Sequence, residues 1–144
     1  NCDYIDVISF DLDGNDLFLV DELLKNNFKP KLFIVEYNGK FPPPIQWRMN
    51  YNEKHIWDGS DYYGASLASF NELFVNNDYE LICCNAHTGS NAFFIKKEYL
   101  KLFDDVPKNI EDIYVPPRYF LHNVFGSHSF SHPQSVKTIN KLFE

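Results

Sequence analysis

Ile5-Asp6-Val7-Ile8-Ser9-Phe10-Asp11-Leu12-Asp13-Gly14-Asn15-Asp16 and Lys31-Leu32-Phe33-Ile34-Val35-Glu36-Tyr37-Asn38 are the two stretches on which the fold turns. In each, a short run that is mostly apolar and β-branched ends in acidic side chains, the pattern of a strand running out into a polar turn. Gly14 marks the turn after the first run. Between the two, Leu17, Val20 and Leu24, with Leu19 and Leu23, recur at the three- and four-residue spacing of a helix face. Asn15 or Asp16 is placed to cap that helix, which runs to about Asn26 before Pro30 closes the segment. Strand, helix and strand in such short compass predict a βαβ unit with parallel strands and a right-handed crossover. The second apolar run carries charge only at its ends, which suits a strand covered on both faces.

Outward from this unit, residues 39–64 read as a long loop with Pro42-Pro43-Pro44, Trp47, Trp57 and Asp58-Gly59-Ser60-Asp61. Loops of this length inside compact domains are usually functional or disordered. The aromatics (Tyr37 just before it, then Tyr51, Tyr62 and Tyr63) argue for an ordered, binding loop. A second helix is predicted at about residues 65–77, with Leu67, Phe70 and Phe74 on one face. Tyr79–Cys84 and Asn91–Ile95 then read as a hairpin across a glycine-containing turn at Ala86–Ser90, which makes the sheet mixed. The chain divides into residues 1–103, an α/β body, and 104–144, an extension packing on or beside it. That extension holds Pro107, Pro116-Pro117, three histidines without metal-ligand spacing (His122, His128 and His132) and a last helix near 135–143.

The 144 residues suffice for one domain. Hydrophobic residues at 44% exclude disorder as the main state, and aromatics at 17% predict a core built from rings. With 13 basic against 20 acidic residues and no basic run, the net charge of −7 argues against nucleic acid and anionic membrane as partners. No apolar run is long enough to span a bilayer. Three cysteines, Cys2, Cys83 and Cys84, and no signal-peptide pattern point to a reducing cytoplasm. Asn1-Cys2-Asp3-Tyr4 leads straight into a strand, which reads as a cut boundary. The strand Ile5–Phe10 is accordingly expected to leave an open apolar edge.

The order of these stretches resembles the C-terminal half of FkbM-like S-adenosylmethionine-dependent methyltransferases. Ile5–Asp16 is similar to the fourth strand of that family and its acidic turn, and Lys29–Asn38 to the fifth strand. Trp57-Asp58-Gly59-Ser60-Asp61-Tyr62-Tyr63-Gly64-Ala65-Ser66-Leu67 is similar to the loop-to-helix segment that follows. The two later strands resemble the final hairpin, and Tyr114-Val115-Pro116-Pro117-Arg118-Tyr119 a tail motif. The resemblance implies half of a Rossmann-like three-layer sandwich with a mixed sheet ending in an antiparallel hairpin. It further implies S-adenosylmethionine as cofactor, held mainly by a Gly-rich half not represented here, since no G-x-G occurs in this sequence. The acceptor it implies is a small or sugar-like molecule methylated on oxygen, and a homo-oligomer stays open.

Ligands of open α/β sheets sit outside the carboxyl ends of the strands. Asp11 with Asp13, and Glu36 with Asn38, lie two residues apart at two such ends, so four oxygen-bearing side chains are expected to converge. The cluster has two chemical uses. As hard ligands, Asp11, Asp13, Glu36 and Asn38 suit Mg²⁺ or Ca²⁺, and a metal there would lower the pKa of a chelated hydroxyl. Alternatively Asp11 or Glu36, its pKa raised by its neighbours, is a general base. His55, Trp57, Asp58, Asp61 and Tyr62, with Asn38, either shape a substrate pocket or pin the loop. Val7-Ile8-Ser9-Phe10-Asp11-Leu12-Asp13-Gly14 also resembles the signature of haloacid-dehalogenase-type Mg-dependent phosphatases, with Asp11 as nucleophile, although Asn15 stands where threonine is expected. A non-catalytic recognition or oligomerisation half-domain is the third reading.

Overall fold

In the computed structural model, residues 5–118 and 133–144 are described. The elements run β1 (Val7–Phe10), α1 (Asp16–Lys25), β2 (Leu32–Glu36), α2 (Leu67–Val75), β3 (Tyr79–Cys84), β4 (Asn91–Lys96), a 3-10 turn (Lys97–Leu102), α3 (Ile110–Ile113) and α4 (Pro133–Leu142). The expected βαβ unit and hairpin are both present, in a four-stranded mixed sheet of order β1-β2-β4-β3. β1 and β2 are parallel, with Val7 beside Leu32 and Phe10 beside Val35. β4, the second strand of the hairpin, runs antiparallel to both β2 and β3 and so lies between them. The chain is therefore α/β.

One face of the sheet carries the core. Phe33 and Val35 of β2 stand level with Phe94 and Ala92 of β4, and all four are buried. Leu17, Val20 and Leu24 of α1 join the same cluster as Phe70 and Phe74 of α2, so both helices cover this one face. Aromatic rings fill it. Phe74 stacks on Phe94 at 4.1 Å between centroids and lies 5.1 Å from Phe33 and 5.6 Å from Tyr79. The Tyr79 hydroxyl donates to the Pro30 carbonyl at 2.6 Å, so its buried polar tip is satisfied.

Here the structure corrects the expectation of a strand covered on both faces. Burial along β2 alternates, and Leu32, Ile34 and Glu36 on the second face stay half-exposed. The apolar run looked continuous because the second face is also apolar, not because helices cover it. β1 pairs with β2 alone, and Ile5 and Val7 are 41% and 50% exposed, so the open apolar edge is there among the described residues.

Residues 110–118 pack on the body. Ile113 is buried in the core, the Tyr37 hydroxyl donates to the Val115 carbonyl at 2.6 Å, and that of Tyr114 donates to the Gly39 carbonyl at 2.7 Å. Gly89 sits at φ 65, and a Cβ there would stand 2.3 Å from the Pro116 carbonyl oxygen, so only glycine fits that turn against the tail. Residues 122, 128 and 132, and Cys2, lie outside the described residues. No helix among the described residues is long and apolar enough to cross a membrane.

Phe74 touches three strands' worth of rings at once, so Phe74→Ala should cost about 3–5 kcal/mol of stability. Urea denaturation followed by circular dichroism measures it, and a loss below about 1 kcal/mol would show that the ring cluster does not hold the sheet to α2.

Candidate functional site

β1 ends at Phe10 and β2 at Glu36. Because Phe10 is the register partner of Val35, the next residue on each strand, Asp11 and Glu36, falls at the same level. Carboxylate oxygens of Asp11, Asp13 and Glu36 lie within 4.8 Å of one another. Asp13 does not reach this point by the strand period, since the strand has already ended. It turns in with φ 52, in the left-handed region that aspartate tolerates better than most residues.

Like charges this close resist joint ionisation. Burial, and then the charges of Asp11, Asp13 and Asp16, push the Glu36 carboxyl up from its ordinary 4.5 to about 8. Asp11, though more open, is also raised, by burial first and then by Asp13 and Asp16. Glu36 therefore keeps its proton through neutral pH. Such an arrangement can act as a base once that proton has left, as pH rises toward about 8, or can surrender it to a divalent cation that three hard oxygen donors fit.

Asp16 corrects the helix-cap expectation. It is the first residue of α1, it is buried, and its two carboxylate oxygens accept the backbone N–H groups of Leu12 and Gly14, both at 2.9 Å. It thus ties down the turn that carries Asp11 and Asp13, reaching back along the chain instead of forward into the helix. Asn15, the residue before the helix, makes no side-chain cap either. Its amide instead pairs with the backbone of Asn52, donating to the carbonyl at 2.7 Å and accepting the N–H at 3.1 Å.

Asn38 is not brought to the acidic cluster. It is fully buried, its amide nitrogen donates to the carbonyls of Asp61 and Tyr63 at 2.8 and 3.0 Å, and its oxygen accepts the Lys40 N–H at 3.1 Å. The physical reason is that extended pairing stops at Glu36, after which the Asn38 N–H bonds to Ala65 and the chain bends into the loop. Asn38 anchors that loop.

The loop itself is ordered by its rings. Phe41 stacks on Trp47 at 4.1 Å, Tyr62 meets Trp47 edge-on at 5.7 Å, and Trp57 meets Tyr63 at 6.2 Å. Arg48 and Ala65 form an antiparallel bridge across it. Of the six residues read as substrate-binding, His55, Asp58 and Tyr62 line one shallow depression of about 320 Å³ with Ile56 and Ser60. The other three turn to structural partners. Besides Asn38, Trp57 donates its Nε1–H to the Ser60 carbonyl at 2.7 Å, and Asp61 is buried with Oδ2 accepting the Ser135 N–H at 2.7 Å. Asp61 Oδ1 is buried without a hydrogen-bond partner among the described residues. A groove of about 410 Å³ between α1 and α2, bordered by Trp47 and Arg48, does not include Asp11, Asp13 or Glu36.

Sequence reasoning missed the contact that joins the loop to the acidic turn. The His55 Nε2–H donates to the Asp13 carbonyl at 3.0 Å, and the ring lies against Gly14. The only signals for it were the glycine after Asp13 and a histidine in a loop rich in rings, and neither specifies the pairing.

The Glu36 shift makes stability depend on pH with a definite sign. The folded state binds this proton more tightly than the unfolded chain, so the stability linked to it is whole below about 4.5 and is lost as pH rises through about 8. The raised Asp11 acts in the same direction. Urea unfolding of the native chain should therefore show stability falling over that window, with Glu36→Gln flattening the fall and the variant more stable than native at the alkaline end. Equal slopes in the two proteins would mean that Glu36 titrates normally.

No protein-family model, curated protein or solved structure matches the chain.

Proposed function

We propose that this chain is part of an S-adenosylmethionine-dependent O-methyltransferase of the FkbM-like kind, acting on the hydroxyl of a small or sugar-like acceptor. The observation that carries the reading is the convergence of Asp11, Asp13 and Glu36 at the carboxyl ends of two parallel strands, where open α/β sheets bind their ligands. A mixed sheet that closes on an antiparallel hairpin is in keeping with the resemblance.

S-adenosylmethionine supplies the methyl group in this reading. None of the 6 glycines here forms a G-x-G turn, so the chain's own residues do not fit the part of cofactor cradle. What they fit is the acceptor's proton. Methyl transfer is an in-line displacement, for which a protein mainly orients the hydroxyl and removes its proton. Glu36, with a carboxyl pushed up to about 8, becomes a base matched to that task once its own proton has left, so transfer by this route rises with pH toward about 8. Mg²⁺ fits the same three carboxyl groups by the chemistry of the donors, and would lower the pKa of a hydroxyl chelated there. His55, Asp58 and Tyr62 line the depression in which polar acceptor groups are read to sit. The three cysteines favour a reducing cytoplasm as the setting, and the acidic composition argues against nucleic acid and anionic membrane as partners.

The test is methyl transfer to polyhydroxylated acceptors by the protein together with whatever chain carries the cofactor site, with and without a chelator. Asp11→Asn and Glu36→Gln should each reduce turnover by about 10²–10⁴-fold. The double variant should cost far less than the product of the singles, because groups that act as a unit are not additive. Independent, multiplicative effects would refute a shared site. Covalent phosphorylation of Asp11 would assign the chain to the phosphatase class instead, and full folding with no turnover on either kind of substrate would favour a recognition half-domain.

A further inference from the structure

Three consecutive residues of the acidic turn are held by the loop between β2 and α2. The Asp13 carbonyl accepts from His55 Nε2–H at 3.0 Å, the Gly14 carbonyl accepts the Gly64 N–H at 3.1 Å, and the Asn15 amide makes its two bonds to the Asn52 backbone. Gly14 is buried, and a Cβ on it would stand 2.4 Å from His55 Cδ2, so the ring occupies the place a side chain would need. Asp13 stands at φ 52, in the left-handed region that a non-glycine residue enters at a cost, though aspartate at less than most. His55 is the side chain that grips Asp13 itself.

We infer that His55 is a positioning residue: through Nε2–H to the Asp13 carbonyl and ring contact with Gly14, it fixes the carboxyls of Asp11 and Asp13 opposite Glu36. The inference rests on the reading, under Proposed function, of those carboxyl groups as the reacting or metal-holding set. It gives the loop a second task beyond lining the depression. His55 borders that depression and also holds the acidic turn, so an acceptor group bound against the ring would act on the carboxylates through it. Since the acceptor atom is a carbonyl oxygen, Nε2 must carry the hydrogen. Outer residues that orient metal-holding or reacting groups are selected for donor position, not only for bulk.

The test compares His55→Ala, His55→Asn and His55→Gln in the 144-residue chain, with folding checked by circular dichroism. The glutamine amide nitrogen reaches as far along the side chain as imidazole Nε2, whereas that of asparagine stops short. Calorimetric titration with Mn²⁺, as a probe for a hard divalent cation, should show affinity weakened about tenfold to a hundredfold in His55→Ala and His55→Asn, with His55→Gln recovering most of it. Equal Mn²⁺ affinity in native protein and folded His55→Ala would overturn the inference. So would His55→Asn matching His55→Gln, because the donor's position would then be immaterial. If the native chain binds no Mn²⁺, the metal form of the proposed function fails, and the Asp13 amide-to-α proton coupling decides this inference by itself. Loss of the left-handed conformation in the alanine and asparagine variants, with its retention in glutamine, sustains it. Retention in all three overturns it.

Discussion

The parallel pairing of β1 with β2 is the constraint on which the site depends. Its register sets Phe10 beside Val35, so the residues that follow, Asp11 and Glu36, leave the ladder together on neighbouring strands. A slip of one residue would turn Ile8 and Phe10 away from the core and carry Asp11 out of step with Glu36. Burial of Ile8, Phe10, Phe33 and Val35 on one face therefore fixes the register, and the register fixes the distance between the carboxyls. The site is a consequence of how the core packs.

The pairing alone would leave Asp13 unplaced, because the pleat ends at Phe10. Two further devices bring it in. Asp16 reaches back to the N–H groups of Leu12 and Gly14, and the loop grips the turn from outside through His55, Asn52 and Gly64. That loop holds its own shape because its rings stack and Asn38 spends its whole amide on it. Glu36 is half-buried beside acidic neighbours as a result, and its pKa is raised first by that burial and then by the like groups gathered around it.

Much of the fold was legible because it is local. Apolar runs ending in acids, Leu17, Val20 and Leu24 at helical spacing, and the glycine turn before Asn91 each gave an element that the structure contains. What was not legible is long-range or one-sided. Nothing in the hairpin's own sequence says that β4, and not β3, lies against β2. Leu32 and Ile34 read as buried, yet their face is half-open, since apolarity on a strand does not state what covers it. In the site, the two-residue rule paired Asp11 with Asp13 and Glu36 with Asn38. It applied to neither pair, because both strands had already ended: Asp13 arrives by a left-handed turn and Asn38 departs into the loop. Asp16 was read as a cap from its place before a helix, whereas its partners lie upstream.

The claim at the centre of this account is that Asp11 and Glu36 share one electrostatic site, and it is most directly tested by following the side-chain carboxyl carbon of Glu36 by NMR through a pH titration. The account predicts a midpoint near 8 in the native chain and a clearly lower one in Asp11→Asn, since the Asp11 charge is, after burial, the next cause of the shift. An identical Glu36 titration in the two proteins would contradict it.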